Sequence, residues 1–127
     1  MANQQHLDLL KQNVHTWNQW RQEHPDIRPD LSSSDLTWAC LSNADLSGVD
    51  LSDVDFTWAD LYRANLIRAN LSQANLSGAD LSGAHLCRAN LSGAILNGAL
   101  LYRADLRDAD LRATNLQKAI LEETMLD

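Results

Sequence analysis

The chain has 127 residues, 45% of them apolar and 21% charged, and a formal net charge of −7. That length accommodates one domain around a single core. No stretch reaches the roughly 18–20 apolar residues of a membrane helix, and the acidic balance excludes a nucleic-acid partner held by phosphate contacts, which require a basic surface.

The first residues, Met1 to His6, lack the basic start and apolar run of a secretion signal, and we expect a soluble cytoplasmic protein. The only two cysteines, Cys40 and Cys87, are far apart and show no CxxC spacing. They read as reduced thiols rather than a disulfide or a metal site.

Residues 1–29 carry helical spacing. Leu7, Leu10, Val14 and Trp17 recur at steps of 3, 4 and 3, which places them on one face of a helix, and Trp20 extends the stripe by a turn. Pro25 and Pro29 then end the helix and favour an extended entry into the next segment. Lys11 and Arg21 are the only basic residues along the stripe, too few for a membrane-surface helix. We assign 1–29 to an N-terminal helical cap and linker, and 30–127 to a second unit that the helix covers.

From Leu31 to Leu126 an apolar residue recurs every five positions without a slip; twenty residues hold this register, and Phe56 alone is not leucine. A period of five matches neither the helix nor the flat strand. It indicates a solenoid whose short units bury their apolar residues by stacking on one another. Two positions before each centre stands a small residue, usually alanine (Ala59, Ala64, Ala69 and onward); one position before it stands Asp or Asn (Asp45, Asn65, Asn70, Asp80). The large and small residues point inward and the polar one between them points out. Pairs such as Ser77-Gly78 and Ser82-Gly83 turn the corners, with glycine supplying the positive φ of a type II turn.

The run from Ala69 to Ala94, ANLSQANLSGADLSGAHLCRANLSGA, resembles the pentapeptide-repeat family, whose motif is A(D/N)LXX. The resemblance covers residues 30–126. The leader, from His6 through the stretch Trp17 to Arg21 to Pro29, is similar to that of many cyanobacterial members. The resemblance implies an all-β solenoid: a right-handed, four-sided parallel β-helix of about five coils, four pentapeptides each, with an N-terminal α-helical cap. At about 4.8 Å per coil the stack is about 24 Å tall. Coils of this size put Leu36, Phe56, Leu76, Leu96 and Leu116 in one interior column.

Little in this pattern supports catalysis. His6 and His15 lack the i, i+4 spacing that lets two histidines share a metal on a helix. His85 and Cys87 flank the inward Leu86 with no third ligand, and every glycine recurs as a turn residue. The aspartates occupy a repeating turn-capping position instead of forming an acid/base pair. We therefore expect no enzyme, no cofactor and no metal.

The informative positions are those that break the repeat. Ile95, Leu100, Ile120 and Met125 stand in Asp/Asn slots, forming a candidate interface for a homodimer through the C-terminal coils, unless Thr124 to Asp127 shield them. Trp38 and Trp58, twenty residues apart, should stack on one corner beneath the N-terminal helix. Arg63, Arg68, Arg88 and Arg103, with Tyr62 and Tyr102, form a candidate surface strip for an anion or a protein.

Charge is polarised. Asp30 to Asp60 holds seven acidic residues and no Lys or Arg, whereas Leu61 to Arg112 holds six arginines against four aspartates. The expected function is a non-enzymatic scaffold that binds a protein partner, itself, or both. The alternative is an acidic DNA mimic acting on a type II topoisomerase, as some members of the family do.

Overall fold

In the computed structural model, which describes residues 1–127, parallel bridges join residues twenty apart. Asp30 pairs with Asp50, Asp35 with Asp55, Cys40 with Asp60 and Asp45 with Asn65, and the series continues to Asp105 with Met125. One coil therefore takes four pentapeptides and has four sides. The backbone bonds explain this register. The Leu61 N–H donates to the Asp80 carbonyl at 2.8 Å, the Arg63 N–H to Ser82 at 2.9 Å, and the Asp60 N–H back to Ala39 at 2.9 Å. Each pentapeptide is thus tied to the coils on both sides of it, as a parallel ladder requires.

The corners are made by short turns in which the fourth residue's N–H returns to the first residue's carbonyl, as from Ala64 to Leu61 at 2.9 Å. The third residue of each turn has a positive φ. Gly78 and Gly83 supply it at +67° and +68°, but Trp38, Trp58, Arg63 and Arg103 adopt it as well, at 56° to 61°. Glycine supplies the conformation as expected, and residues with a Cβ adopt it as well. A left-handed residue with a Cβ costs about 1–2 kcal/mol, and here the bonds on both sides of the turn hold it in place. The preceding Asp or Asn assists. Asn70 Oδ1 accepts from the Ser72 N–H at 3.0 Å and the Ser72 hydroxyl at 2.7 Å, and Asp55 does the same with Thr57.

Every centre from Leu31 to Leu106 is buried, and so is every small residue two positions earlier from Ala44 to Ala104. Phe56 sits fully enclosed in the column of Leu36, Leu76 and Leu96. From Ala109 onward the interior opens: Leu111 and Leu116 are half-buried, and Leu121 and Leu126 are exposed.

The leader forms two helices where one was expected, α1 (Gln4–Gln12) and α2 (Val14–Glu23). Asn13 between them has extended backbone, and its Oδ1 accepts from the Thr16 N–H at 2.7 Å to start α2. Asn3 starts α1 in the same way. The break lets both helices reach the β-helix: Leu7, Leu10 and Trp17 join its core, with Val14 and Trp20 packed alongside. No helix is long and apolar enough to cross a membrane.

Candidate interaction surfaces

The first coil has no coil before it, so its upward-facing amides and carbonyls need other partners. The helices supply them on two of the four sides. On the Asp30 side, the Asn3 N–H donates to the Asp30 carbonyl at 2.8 Å and the Asp30 N–H donates to His6 Nδ1 at 3.2 Å. On the Asp45 side, Trp17 Nε1–H donates to the Asp45 carbonyl at 2.7 Å, and Asn18 Oδ1 accepts from the Asp45 N–H at 2.8 Å. Arg21 donates to the carbonyls of Asp45 and Ser47 at 2.9 and 2.8 Å, and Arg28 to that of Gly48 at 2.9 Å. Burial lowers the Arg21 pKa, and the Asp45 carboxylate opposes that shift. The apolar stripe of the leader is visible in its spacing. Asn18, Arg21 and Arg28 carry no such signal, because their partners are main-chain atoms placed only by docking.

On the other two sides the edge is free. The carbonyls of Asp35, Thr37 and Cys40 and the amides of Asp35 and Cys40 make no bond within the chain. Above them lies a recess of about 550 Å³ under the junction of α1 and α2, lined by Leu10, Val14, Leu36 and Leu41 with Lys11 on its rim.

Trp38 and Trp58 occupy the corner between these two sides, stacked with ring centroids 5.7 Å apart and planes at 19°. They are 71% and 56% exposed. The leader does not fold over them, contrary to expectation. The bonds from Trp17, Asn18 and Arg21 draw α2 to the Asp45 side instead. Below the pair, Gly78 continues the corner, and a Cβ there would lie 2.5 Å from the Trp58 ring. The absence of a side chain at Gly78 is what gives Trp58 its seat.

At the other end, the amides of Leu111, Leu116, Leu121 and Leu126 have no acceptor. Leu100 and Ile120 are bridge partners on one side, 40% and 44% exposed; Ile95 (38%) lies on the adjoining side and Met125 (43%) on a third. Ile95, Leu100 and Ile120 thus wrap the corner that carries Gly98, and Met125 lies across the next corner, on the other side that adjoins Ile120. Thr114 and Thr124 turn their hydroxyls inward to the carbonyls of Leu91 and Leu101.

The arginines divide between two corners. Arg63 and Arg103 share one with Tyr62 and Tyr102, around a recess of about 400 Å³ that also includes Gly83 and His85. Arg103 pairs with Glu123 and lies 5.2 Å from the Tyr102 ring centroid. Arg68 and Arg88 stand on the next corner, so the six residues lie on two adjoining corners. Nearby, Arg107 grips both carboxylate oxygens of the nearly buried Asp105. That pairing holds the Asp105 carboxyl far below the usual range, with a further contribution from Cys87. Asp110, gripped likewise by Arg112, is lowered to about 2.

The family profile described as "Pentapeptide repeats" matches the chain in eight copies, over residues 30–66, 64–101 and 104–127. No curated protein matches it. Among solved structures the chain is similar to a pentapeptide-repeat protein of the Arabidopsis thaliana thylakoid lumen. The two are 32% identical with a TM-score of 0.69, over 71% of this chain and 63% of that one; the chain thus spans less than two thirds of that protein's length. It is also similar to a pentapeptide-repeat protein of Nostoc, at 32% identity and a TM-score of 0.36, over 84% and 91% of the two chains. A third likeness, to the plasmid-mediated fluoroquinolone resistance protein QnrB1, has 21% identity and a TM-score of 0.30, over 79% and 59%. Profile, five-residue register and twenty-residue coil agree: the chain belongs to the pentapeptide-repeat family, whose members form right-handed quadrilateral β-helices.

Proposed function

We propose that the chain is a non-enzymatic protein-interaction scaffold: a β-helix of five coils over 30–127, capped by the helices of 1–29, that associates with a second copy through its last coils. The observation that carries this reading is the apolar surface of Ile95, Leu100 and Ile120, continuous with the open leucines of the final coil. A hydrophobic patch beside unpaired strand edge is a surface that association covers at a gain. Met125 extends the patch around the end. A cytoplasmic setting is in keeping with two free thiols, Cys40 and Cys87.

Light scattering on the wild type and on an Ile95→Asp/Leu100→Asp variant tests it. Asp is the residue the repeat ordinarily holds in those slots, so the variant keeps its fold. A wild-type dimer that becomes a folded monomer is the expected result; a wild-type monomer overturns self-association.

The alternative, an acidic mimic acting on a type II topoisomerase, draws on the stretch from Asp30 to Asp60, which lacks basic residues. The arginines from Arg63 onward interrupt that surface. A supercoiling assay unaffected by micromolar protein rejects it.

A further inference from the structure

The corner that carries Trp38 and Trp58 brings together four features that the capping of the first coil leaves unused. The first is the free backbone edge from Asp35 to Cys40, with three carbonyls and two amides unpaired. These groups lie in the geometry that the next coil down satisfies: there, Asp55 and Asp60 donate to the carbonyls of Ser34 and Ala39. The edge turns at the Trp38 corner, so a segment that follows it would meet an amide and a carbonyl in parallel-bridge geometry on each of the two sides. The second is the adjoining recess, floored by Leu36 and Leu41, which has room for an apolar side chain. Third comes the exposed tryptophan stack, which offers a π-face to a cation.

The fourth is charge. Asp35 and Asp55 lie outward on one side of the corner, and Asp60 and Asp80 on the other. No Lys or Arg occurs between Asp30 and Asp60. Hydrogen bonds from the Thr37 hydroxyl and amide lower the Asp35 pKa and keep that carboxylate ionised. The one cation at the rim is Lys11 from α1. Arginine is abundant in the later coils but absent here, so nothing in the chain itself occupies the tryptophans.

We propose that the Asp35–Leu41 edge, with the Trp38–Trp58 stack at its corner, receives a peptide segment bearing Lys or Arg that follows the turn of the coil and pairs with its free backbone groups. The peptide backbone pairs with the free carbonyls and amides, an apolar side chain enters the recess under the helix junction, and a cationic side chain lies over the tryptophans between the aspartates. This deepens the scaffold reading and rests on it; the site lies on the first coils of the same corner whose last coils carry the self-association surface.

Calorimetric titration with a blocked Lys-Val-Lys-Val-Lys peptide, against its Glu-Val-Glu-Val-Glu counterpart, tests the site. Saturable binding of the basic peptide below about 1 mM is expected, with the acidic one at least roughly tenfold weaker. Trp38→Gly/Trp58→Gly should lose roughly tenfold in affinity; glycine already fills this corner at Gly78 and Gly98 with positive φ, so the fold tolerates it. Asp35→Asn/Asp60→Asn, which keeps the turn-capping oxygen, should weaken binding and reduce its salt dependence. In amide NMR, Asp35 and Cys40 should shift on binding while Leu116 and Leu121 do not. Undiminished binding by the tryptophan variant, equal binding of both peptides, or shifts confined to the C-terminal edge would overturn the proposal. A chain that dimerises yet binds neither peptide overturns this site alone and leaves the scaffold reading intact.

Discussion

At the N-terminal end, two helices satisfy the first coil on two of its four sides and seal its core with Leu7, Leu10 and Trp17; at the C-terminal end, the amides and leucines of the last coil meet solvent directly. The two edges are the complementary faces of one ladder, and the five-residue register is the same in both places. The difference lies in what covers them. A solenoid repeat specifies its own neighbours but not its ends, since each unit contacts only the units on either side. An end is therefore where such a protein either acquires a cap or acquires a partner; this chain covers part of its first coil with helices and leaves its last coil open.

That contrast can be broken most forcefully at Trp17. Trp17→Ala removes a fully buried indole and the bond to the Asp45 carbonyl, and should cost about 3–5 kcal/mol, read as a shift in denaturant midpoint. A loss of protection limited to amides of the first coil would place the effect in the cap. In the middle of the stack, Leu76→Ala or Leu81→Ala should cost about 2–5 kcal/mol. Unchanged midpoints for both would contradict the inward-facing register. Leu121→Ala, at the open end, should cost below about 1 kcal/mol in the monomer, because its side chain is already partly in water. A cost equal to that of Leu76→Ala would mean that the last coil is covered in solution.

Two smaller effects depend on pH. Burial lowers the His6 pKa below its ordinary 6.5, with Asp30 partly opposing the shift. The folded chain then binds fewer protons at His6 than the unfolded one. The stability that neutral His6 contributes is full above about pH 6.5 and declines as the pH falls below it. The protection factor of the Asp30 amide, which donates to His6, should fall over that interval.

At the C-terminal end the relevant groups are carboxylates. Asp110 is lowered to about 2 by the Arg112 hydrogen bonds and then by its backbone bond, so its contribution is present above about pH 4 and lost as the pH falls toward 2. A melting temperature that drops over this range in the wild type should drop less in Asp110→Asn, which keeps the capping oxygen but not the ion pair.

The register, the inward Leu and Ala columns, the outward Asp/Asn ladder and the stacking of Trp38 on Trp58 were all legible in the residues, because each follows from counting along a period. The apolar breaks at Ile95, Leu100, Ile120 and Met125 were legible for the same reason. The corner conformation was legible only in part. Glycine advertises positive φ, whereas Trp38, Arg63 and Lys118 adopt it under the constraint of the coils above and below.

By itself the sequence determined the five-residue register and its inward leucines, and the four-sided coil followed from the family resemblance that its motif carries. The tertiary structure alone decided which edges are closed. Whether the helices would lie over the tryptophans or beside Asp45 depended on where Asn18, Arg21 and Arg28 could find unpaired carbonyls, and those exist only once the first coil is formed. Hydrogen-bonding demand at a solenoid end is a property of the assembled stack and of no single repeat.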